Sequence, residues 1–290
     1  MDNQIKPLNG KNLVLTGATG GLGTALCRYA LHMGANLILL ARSQEKALAL
    51  QSRLKREFPE SSVTFLLGDL LVPAQVQTLC KQLSGLPIDL LYLNAGDYHM
   101  ERKPCKTGLD PVFQVNFLSQ FYMAQKLLPV LQAQKGKLIV TGSIAHLPVR
   151  TDPHDPDFSR RSMPEAVYGN SKRYLMYACR ELAKKYPDVE FAIAHPGITP
   201  TGITSHYPKA LLRFLSLPMG LTFDPPRKAA RGMAIAMIRS VPDLHWIGPG
   251  ILHVWGKPAI SPLTGCPAEE RRQIYATAQK LSQDLMEDAL

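Results

Sequence analysis

Along most of the chain, short apolar runs alternate with stretches whose apolar residues recur every three or four positions, the pattern of βαβ units and a parallel sheet. A first strand is expected over 12–16, then a glycine-rich turn and a helix over 21–34. The second strand, over 36–41, reads NLILLA, an unbroken apolar run that suits a strand covered on both faces. The next helix carries Ala47, Leu50, Leu54 and Phe58 on one stripe and ends before Pro59. A third strand over 62–67 leads to a helix with the stripe Val76, Leu79, Cys80 and Leu83. Strands over 88–94, 137–141 and 190–194 follow, with helices over 110–131 and 168–186 between them. A helix over 227–239, a seventh strand over 251–255 and a final helix over 268–286 complete the pattern. The stretch 199–226 is rich in Pro and Gly around an apolar cluster at 210–217, which reads as a substrate lid with a short helix. No repeat, low-complexity tract or linker interrupts the chain. The expectation is one doubly wound α/β domain over 1–290, with a predominantly parallel seven-stranded sheet flanked by helices.

Composition narrows the partners. The 290 residues are 46% hydrophobic and 19% charged, too apolar for a disordered chain. The formal charge is +10, from 33 Lys and Arg against 23 Asp and Glu, so an anionic partner must be considered. The basic residues come as scattered pairs with acids nearby and no aromatic interleaving, so nucleic-acid binding is not expected. The five cysteines (Cys27, Cys80, Cys105, Cys179, Cys266) form no CxxC pair, which fits reduced cytoplasmic thiols rather than disulfides or zinc. His195, His206, His245 and His253 show no ligand spacing, and no metal is expected. There is no signal-like N-terminus and no apolar run of spanning length. The apolar cluster with Lys209 and Arg213 is short and broken by Pro218, so peripheral membrane contact there is not expected.

The chemistry begins where the first strand runs into TGATGGLG. Glycines let a backbone approach a ligand, and the amides and positive end of the following helix meet a pyrophosphate, so Gly17, Thr19, Gly20, Gly21, Leu22 and Gly23 are the candidate cradle. In a dinucleotide site the end of the second strand chooses the cofactor: a carboxylate there would hold the ribose 2′-OH and repel a 2′-phosphate. Here it reads Ala41-Arg42-Ser43, and a guanidinium beside a hydroxyl favours NADP(H) over NAD(H). Further on, Tyr168 and Lys172 lie at i and i+4 of a helix. A tyrosine with a pKa of about 10 needs a nearby positive charge to work as an acid–base group at neutral pH, and Lys172 can supply it.

The order of Gly17-Gly21-Gly23, Asn94-Ala95-Gly96, Asn116, Ser143 and Tyr168-x-x-Ser171-Lys172, closed by Pro196-Gly197-Ile198-Thr199-Pro200-Thr201, resembles the short-chain dehydrogenase/reductase family over about residues 12–201. The resemblance implies a Rossmann-type fold and an oxidoreductase passing a hydride between a nicotinamide and a carbonyl or alcohol. It implies that Tyr168 is the general acid or base, that Ser143 polarises the reacting oxygen, and that Lys172 lowers the tyrosine pKa and binds the nicotinamide ribose. Asn116 would position a relay water. Asp69, with Leu70, would meet the adenine, Asn94 with Ala95 and Gly96 would brace the cofactor strand, and Pro196, Gly197, Ile198 and Thr201 would contact the nicotinamide and phosphates.

Two departures carry information. Ser143 and Tyr168 are 25 residues apart, with an insertion over about 146–165 that resembles one in retinol-dehydrogenase-like members, which act on lipophilic substrates. The LNAG form of the fourth-strand motif resembles ketosteroid-reductase-like members. Both point to a bulky apolar substrate of steroid- or retinoid-like kind. The alternatives are a dinucleotide-binding regulatory or scaffold protein without turnover, disfavoured by the intact Ser143, Tyr168 and Lys172, and a nucleotide-sugar epimerase or dehydratase, for which the chain after Gly197 leaves little room. By analogy with the family, pairing through helices 110–131 and 168–186 would give a homodimer or homotetramer.

Overall fold

The computed structural model describes residues 6–98, 103, 105–197 and 226–286. Its strands are β1 (Asn12–Leu15), β2 (Asn36–Ala41), β3 (Val63–Leu67), β4 (Leu90–Leu93), β5 (Lys137–Thr141), β6 (Glu190–Ala194), β7 (His245–Ile251) and β8 (Trp255–Pro262). They form one sheet in the order β3-β2-β1-β4-β5-β6-β7-β8. All pairings are parallel except β7 with β8. The order reverses between β1 and β4, so a crevice opens beyond their carboxyl ends, where open α/β sheets bind ligands.

Alternation along the strands divides the core between two faces. Val14, Leu91, Leu93, Val140 and Ile193 point to one face, covered by α3 (Pro73–Ser84), α4 (Ser119–Ala133), α5 (Pro164–Ala183) and α7 (Ala268–Met286). Leu13, Leu15, Leu37, Leu39, Tyr92 and Ile139 point to the other, covered by α1 (Gly21–His32), α2 (Gln44–Glu57) and α6 (Pro226–Ile235). The stripe Val76, Leu79, Cys80, Leu83 is buried, and α2 buries Ala47, Leu50 and Leu54.

Three features differ from the sequence expectation. The sheet has an eighth strand, and most of the expected seventh strand is instead the turn of an antiparallel β7–β8 hairpin. Gly248, Pro249 and Gly250 in β7, with Pro258 and Pro262 in β8, hide the strand pattern; proline is tolerated because β8 is the sheet edge. The helix expected over 110–131 is entered through a single turn, Pro111–Phe113, and a π-helical segment, Gln114–Leu118. The helix carrying Tyr168 begins earlier, at Pro164, where a proline at the first position needs no amide partner. The expected lid over 199–226 lies outside the described residues except Pro226, as do Ile198 and Thr201.

Candidate active site

The centre of the crevice is held by a buried polar network between β1 and β4. Thr16 follows β1, and its Oγ1 accepts from the amides of Asn94 and Ala95, both at 2.8 Å, while donating to Gln120 Oε1 at 2.9 Å. Gln120 Nε2 donates to the carbonyls of Ala95, Val115 and Asn116. Asn94 Nδ2 donates to Thr16 O at 3.1 Å and its Oδ1 accepts from Thr141 Oγ1 at 3.2 Å. One side chain thus spans β1, β4 and β5. A network satisfied this fully in a low-dielectric interior fixes geometry, because each broken member would leave a buried polar atom unpaired.

The glycine turn has two kinds of glycine. Gly23 is demanded by the chain itself: a Cβ there would sit 2.1 Å from Gly17 O, so α1 could not start so close to the turn. Gly20 and Gly21 are different, since an added Cβ would meet its nearest described neighbours only at 3.5 and 3.6 Å. What their bareness provides is open backbone at the start of α1. Gly20 is the N-cap residue, with no side-chain cap and no acid in the first turn, so this helix start offers an uncompensated positive dipole end. The residues present fit a pyrophosphate.

At the β2 end, Arg42 Nη1 stands 3.8 Å from Asp97 Oδ2, with the Arg42 side chain 63% exposed. β1 lies between β2 and β4, so this pair links the loops on either side of the glycine turn. Ser43 is the N-cap of α2, its Oγ accepting from Lys46 N at 3.3 Å. Asp69 Oδ1 accepts from Leu71 N at 2.9 Å, an Asx turn, and the Leu70 carbonyl accepts from Ser119 Oγ. Ser43, Asp69 and Leu70 therefore all build local structure at this end.

At the other end, Ser143 follows β5 and Tyr168 and Lys172 share one face of α5. Gly169 makes their meeting possible: a Cβ there would stand 2.3 Å from Ala145 O, so α5 abuts the short 3-10 turn Ile144–His146 behind Ser143. Tyr168 is half-buried. Burial pushes its phenol up to about 12, against the opposing pull of its hydrogen bond with Ser143. Lys172 is 1% exposed; its Nζ lies 5.9 Å from the Tyr168 ring centre and donates to Thr141 O at 3.3 Å. Burial pulls its ammonium down to about 8. A Cβ on Gly96 would come within 3.2 Å of that Nζ, so the bare residue lets the backbone after β4 pass close over the amine.

Asn116 sits in the π-helical segment, a distortion that often marks functional positions. Its Oδ1 accepts from Asp97 N at 2.7 Å, and its Nδ2 donates to Asp97 O and Ser171 Oγ. Ser171 Oγ in turn donates to Tyr168 O at 2.7 Å. Asn116 thus joins the turn after β4 to the tyrosine helix. Pro196 and Gly197 follow β6, with Gly197 N donating to His195 Nδ1 at 3.3 Å.

The 146–165 insertion docks rather than floats. Val149 and Phe158 pack with Val112 and Val167, Asn170 Nδ2 donates to Pro156 O at 2.7 Å, and Asp157 Oδ2 accepts from Asp110 N at 2.8 Å. Arg173, fully buried, pairs bidentately with Glu270 of α7 and donates to His146 O. Sequence reasoning missed several supporting residues. His146 is buried with Nδ1 2.7 Å from Ser143 O. Tyr98 packs edge-on against Tyr168 at 5.8 Å. Gln120 had only its i+4 spacing from Asn116 as a signal. Among the described residues no cluster of His, Cys, Asp and Glu is arranged to hold a metal.

The description short chain dehydrogenase belongs to a family model that matches residues 11–211. A polyprenol dehydrogenase from Mus musculus is 27% identical over 293 residues, covering 96% of this chain and 85% of that protein. An uncharacterized protein from Mycobacterium paratuberculosis superposes with a TM-score of 0.75 at 23% identity, covering 97% of this chain and 96% of its own. L-sorbose reductase from Gluconobacter frateurii, complexed with NADPH and L-sorbose, superposes with a TM-score of 0.65 at 20% identity, covering 81% and 92%. The crevice geometry and the family match agree: this chain belongs to the short-chain dehydrogenase family.

Proposed function

We propose that the chain is an NADP(H)-dependent carbonyl reductase or alcohol dehydrogenase acting on a bulky apolar ketone, aldehyde or alcohol through Ser143, Tyr168 and Lys172. The observation that carries this reading is the Tyr168 phenol hydrogen-bonded to Ser143, with the buried Lys172 amine 5.9 Å from the centre of the same ring. The start of α1 with Gly20 and Gly21 would hold the pyrophosphate, Arg42 the 2′-phosphate, and Lys172 beside Gly96 the nicotinamide ribose. When bound, the nicotinamide supplies or takes up the hydride. Ser143 donates to the substrate oxygen, and Tyr168 gives its phenolic proton to that oxygen in reduction or removes it in oxidation. Lys172, while charged, favours the tyrosinate and so eases that proton's departure. Asn116 holds the turn after β4 against α5, and a relay water beside it would return the proton.

An apolar substrate is supported by the insertion, whose aromatic and aliphatic residues close over the start of α5, and by Met163, 62% exposed at the N-cap of the tyrosine helix. The name of the polyprenol dehydrogenase relative points the same way. The NADP(H) assignment is tested by titrating NADPH and NADH into wild type and Arg42→Asp. The variant is expected to lose about ten- to a hundredfold of its preference for NADPH, since a charge-assisted phosphate contact is replaced by repulsion; an unchanged preference would remove the basis of the assignment.

A further inference from the structure

The β7–β8 hairpin lies at the same end of the sheet as the crevice. β7 runs on to Ile251 past Ile247, the residue level with Ala194 at the end of β6. Its turn adjoins the Pro196–Gly197 segment, where a Cβ on Gly197 would stand 2.9 Å from Pro249 Cγ and 3.4 Å from His253 O. Val254 N donates to Ile251 O at 3.0 Å, and the two central residues, Leu252 and His253, have φ of +49° and +59°. Such a turn ordinarily takes Gly, which lacks the Cβ that strains a positive φ, or Asn, whose short polar side chain hydrogen-bonds locally and tolerates it; Leu does neither. His253 turns inward against Trp246, at 5.1 Å between rings. Leu252 turns outward and is 78% exposed, beside Ile251 at 58%. A strained conformation is being held to present leucine to the outside.

Beside this apolar tip, the described residues of α6 and of the hairpin supply cations and no acids. A groove of about 560 Å³ between the hairpin and α6 is lined by Lys228, Arg231, Ile235, Pro249, Lys257 and Pro258. No Asp or Glu occurs in 226–239 or 245–262. The free edge of β8 is blunted by Pro258 and Pro262, which resist addition of another strand, so the surface offers side chains rather than a ladder to a second copy. An apolar tip set among cations fits an anionic bilayer surface.

We propose that this hairpin docks the protein on an anionic phospholipid membrane, with Leu252 and Ile251 at the acyl boundary and Arg231 and Lys257 against the phosphates. The crevice mouth then faces the bilayer, and an apolar substrate can enter without crossing water. From sequence, such a contact is weighed only at the apolar cluster with Lys209 and Arg213, where it is not expected, and 251–255 reads as a plain strand. Docking does not depend on the NADP(H) reading.

The test is flotation of the purified chain with vesicles of phosphatidylcholine alone and of phosphatidylcholine with phosphatidylserine, beside NADPH titration of the same preparations. Wild type is expected to float with the mixed vesicles and to be released by salt. Leu252→Asn, which suits the left-handed turn and preserves folding, is expected to lose binding by about tenfold or more. Arg231→Glu with Lys257→Glu is expected to lose the anionic preference. Wild type that ignores both vesicles, Leu252→Asn that binds as wild type does, or a Leu252-dependent dimer on sizing without vesicle binding would overturn the proposal. Vesicle binding without NADPH binding would count against the cofactor reading alone.

Discussion

The two ends of the crevice are built on opposite principles. At the Tyr168 end, Lys172 is 1% exposed and sits against Thr141 and Gly96, and Asn116 is bonded on both sides. At the Arg42 end, the guanidinium is mostly in solvent, and Ser43 and Asp69 are occupied with a helix cap and a turn. Charge and proton chemistry belong where water is excluded, because desolvation and low dielectric make each contact strong. On the proposed reading, discrimination of one exposed 2′-phosphate would need only a fixed charge, and an end built for that can share its residues with local structure.

Paired substitutions at the glycine turn should show the largest effects. Gly23→Ala places a Cβ against Gly17 O and is expected to abolish NADPH binding and cost about 1–3 kcal/mol of stability. Gly20→Ala, where a Cβ finds ordinary contact distance at 3.5 Å, should leave the melting temperature nearly unchanged yet weaken NADPH binding in calorimetry. Equal losses of stability in both variants would dissolve the distinction between fold-required and ligand-required glycines.

Lys172→Met sharpens the buried end. The folded state holds the lysine pKa near 8 against an ordinary value of 10.5, so the unfolded chain binds more protons between those values and stability rises with pH across that window. Below it the full cost of the buried charge is present. The variant is expected to be more stable at neutral pH, on the order of 1–3 kcal/mol, and to lose carbonyl reduction. The gap in melting temperature should close from about pH 8 towards 10.5. A less stable variant would mean that the ammonium contributes to the fold.

The smallest effect is expected at the exposed end. Asp97→Asn removes an anion 3.8 Å from Arg42, and an exposed pair is worth under about 1 kcal/mol. NADPH should bind about two- to fivefold tighter with NADH unaffected. A matching gain for NADH would show that Asp97 acts on the shared part of the cofactor.

The same contrast governs what could be read from the chain. The strands at 137–141 and 190–194 match the observed β5 and β6 residue for residue, because runs covered on both faces leave little ambiguity about their ends. β7 and β8 were illegible because glycines and prolines break their pattern; β8 tolerates them at the sheet edge, and β7 carries its Gly248, Pro249 and Gly250 beyond Ile247, its pairing point with β6. Tyr168, Lys172, Ser143 and Asn116 were visible as spaced motifs, and the structure brings them together. The residues that fix them were not, since Thr16 with Gln120 and Arg173 with Glu270 lie far apart in sequence and carry no local signature. For Asp69 the sequence offers both an adenine contact and turn or cap chemistry, and the structure shows its Oδ1 in an Asx turn; Ser43, read as a phosphate neighbour, caps α2.

The central claim is that Tyr168 transfers the proton in an NADPH-dependent reduction. It is tested most directly by following NADPH oxidation against a panel of apolar ketones and aldehydes with wild type and Tyr168→Phe, with NADPH affinity measured for both. The account predicts turnover by the wild type and a fall of about a thousandfold in the variant, with NADPH affinity held within about threefold. A variant that turned over as fast as the wild type would contradict it.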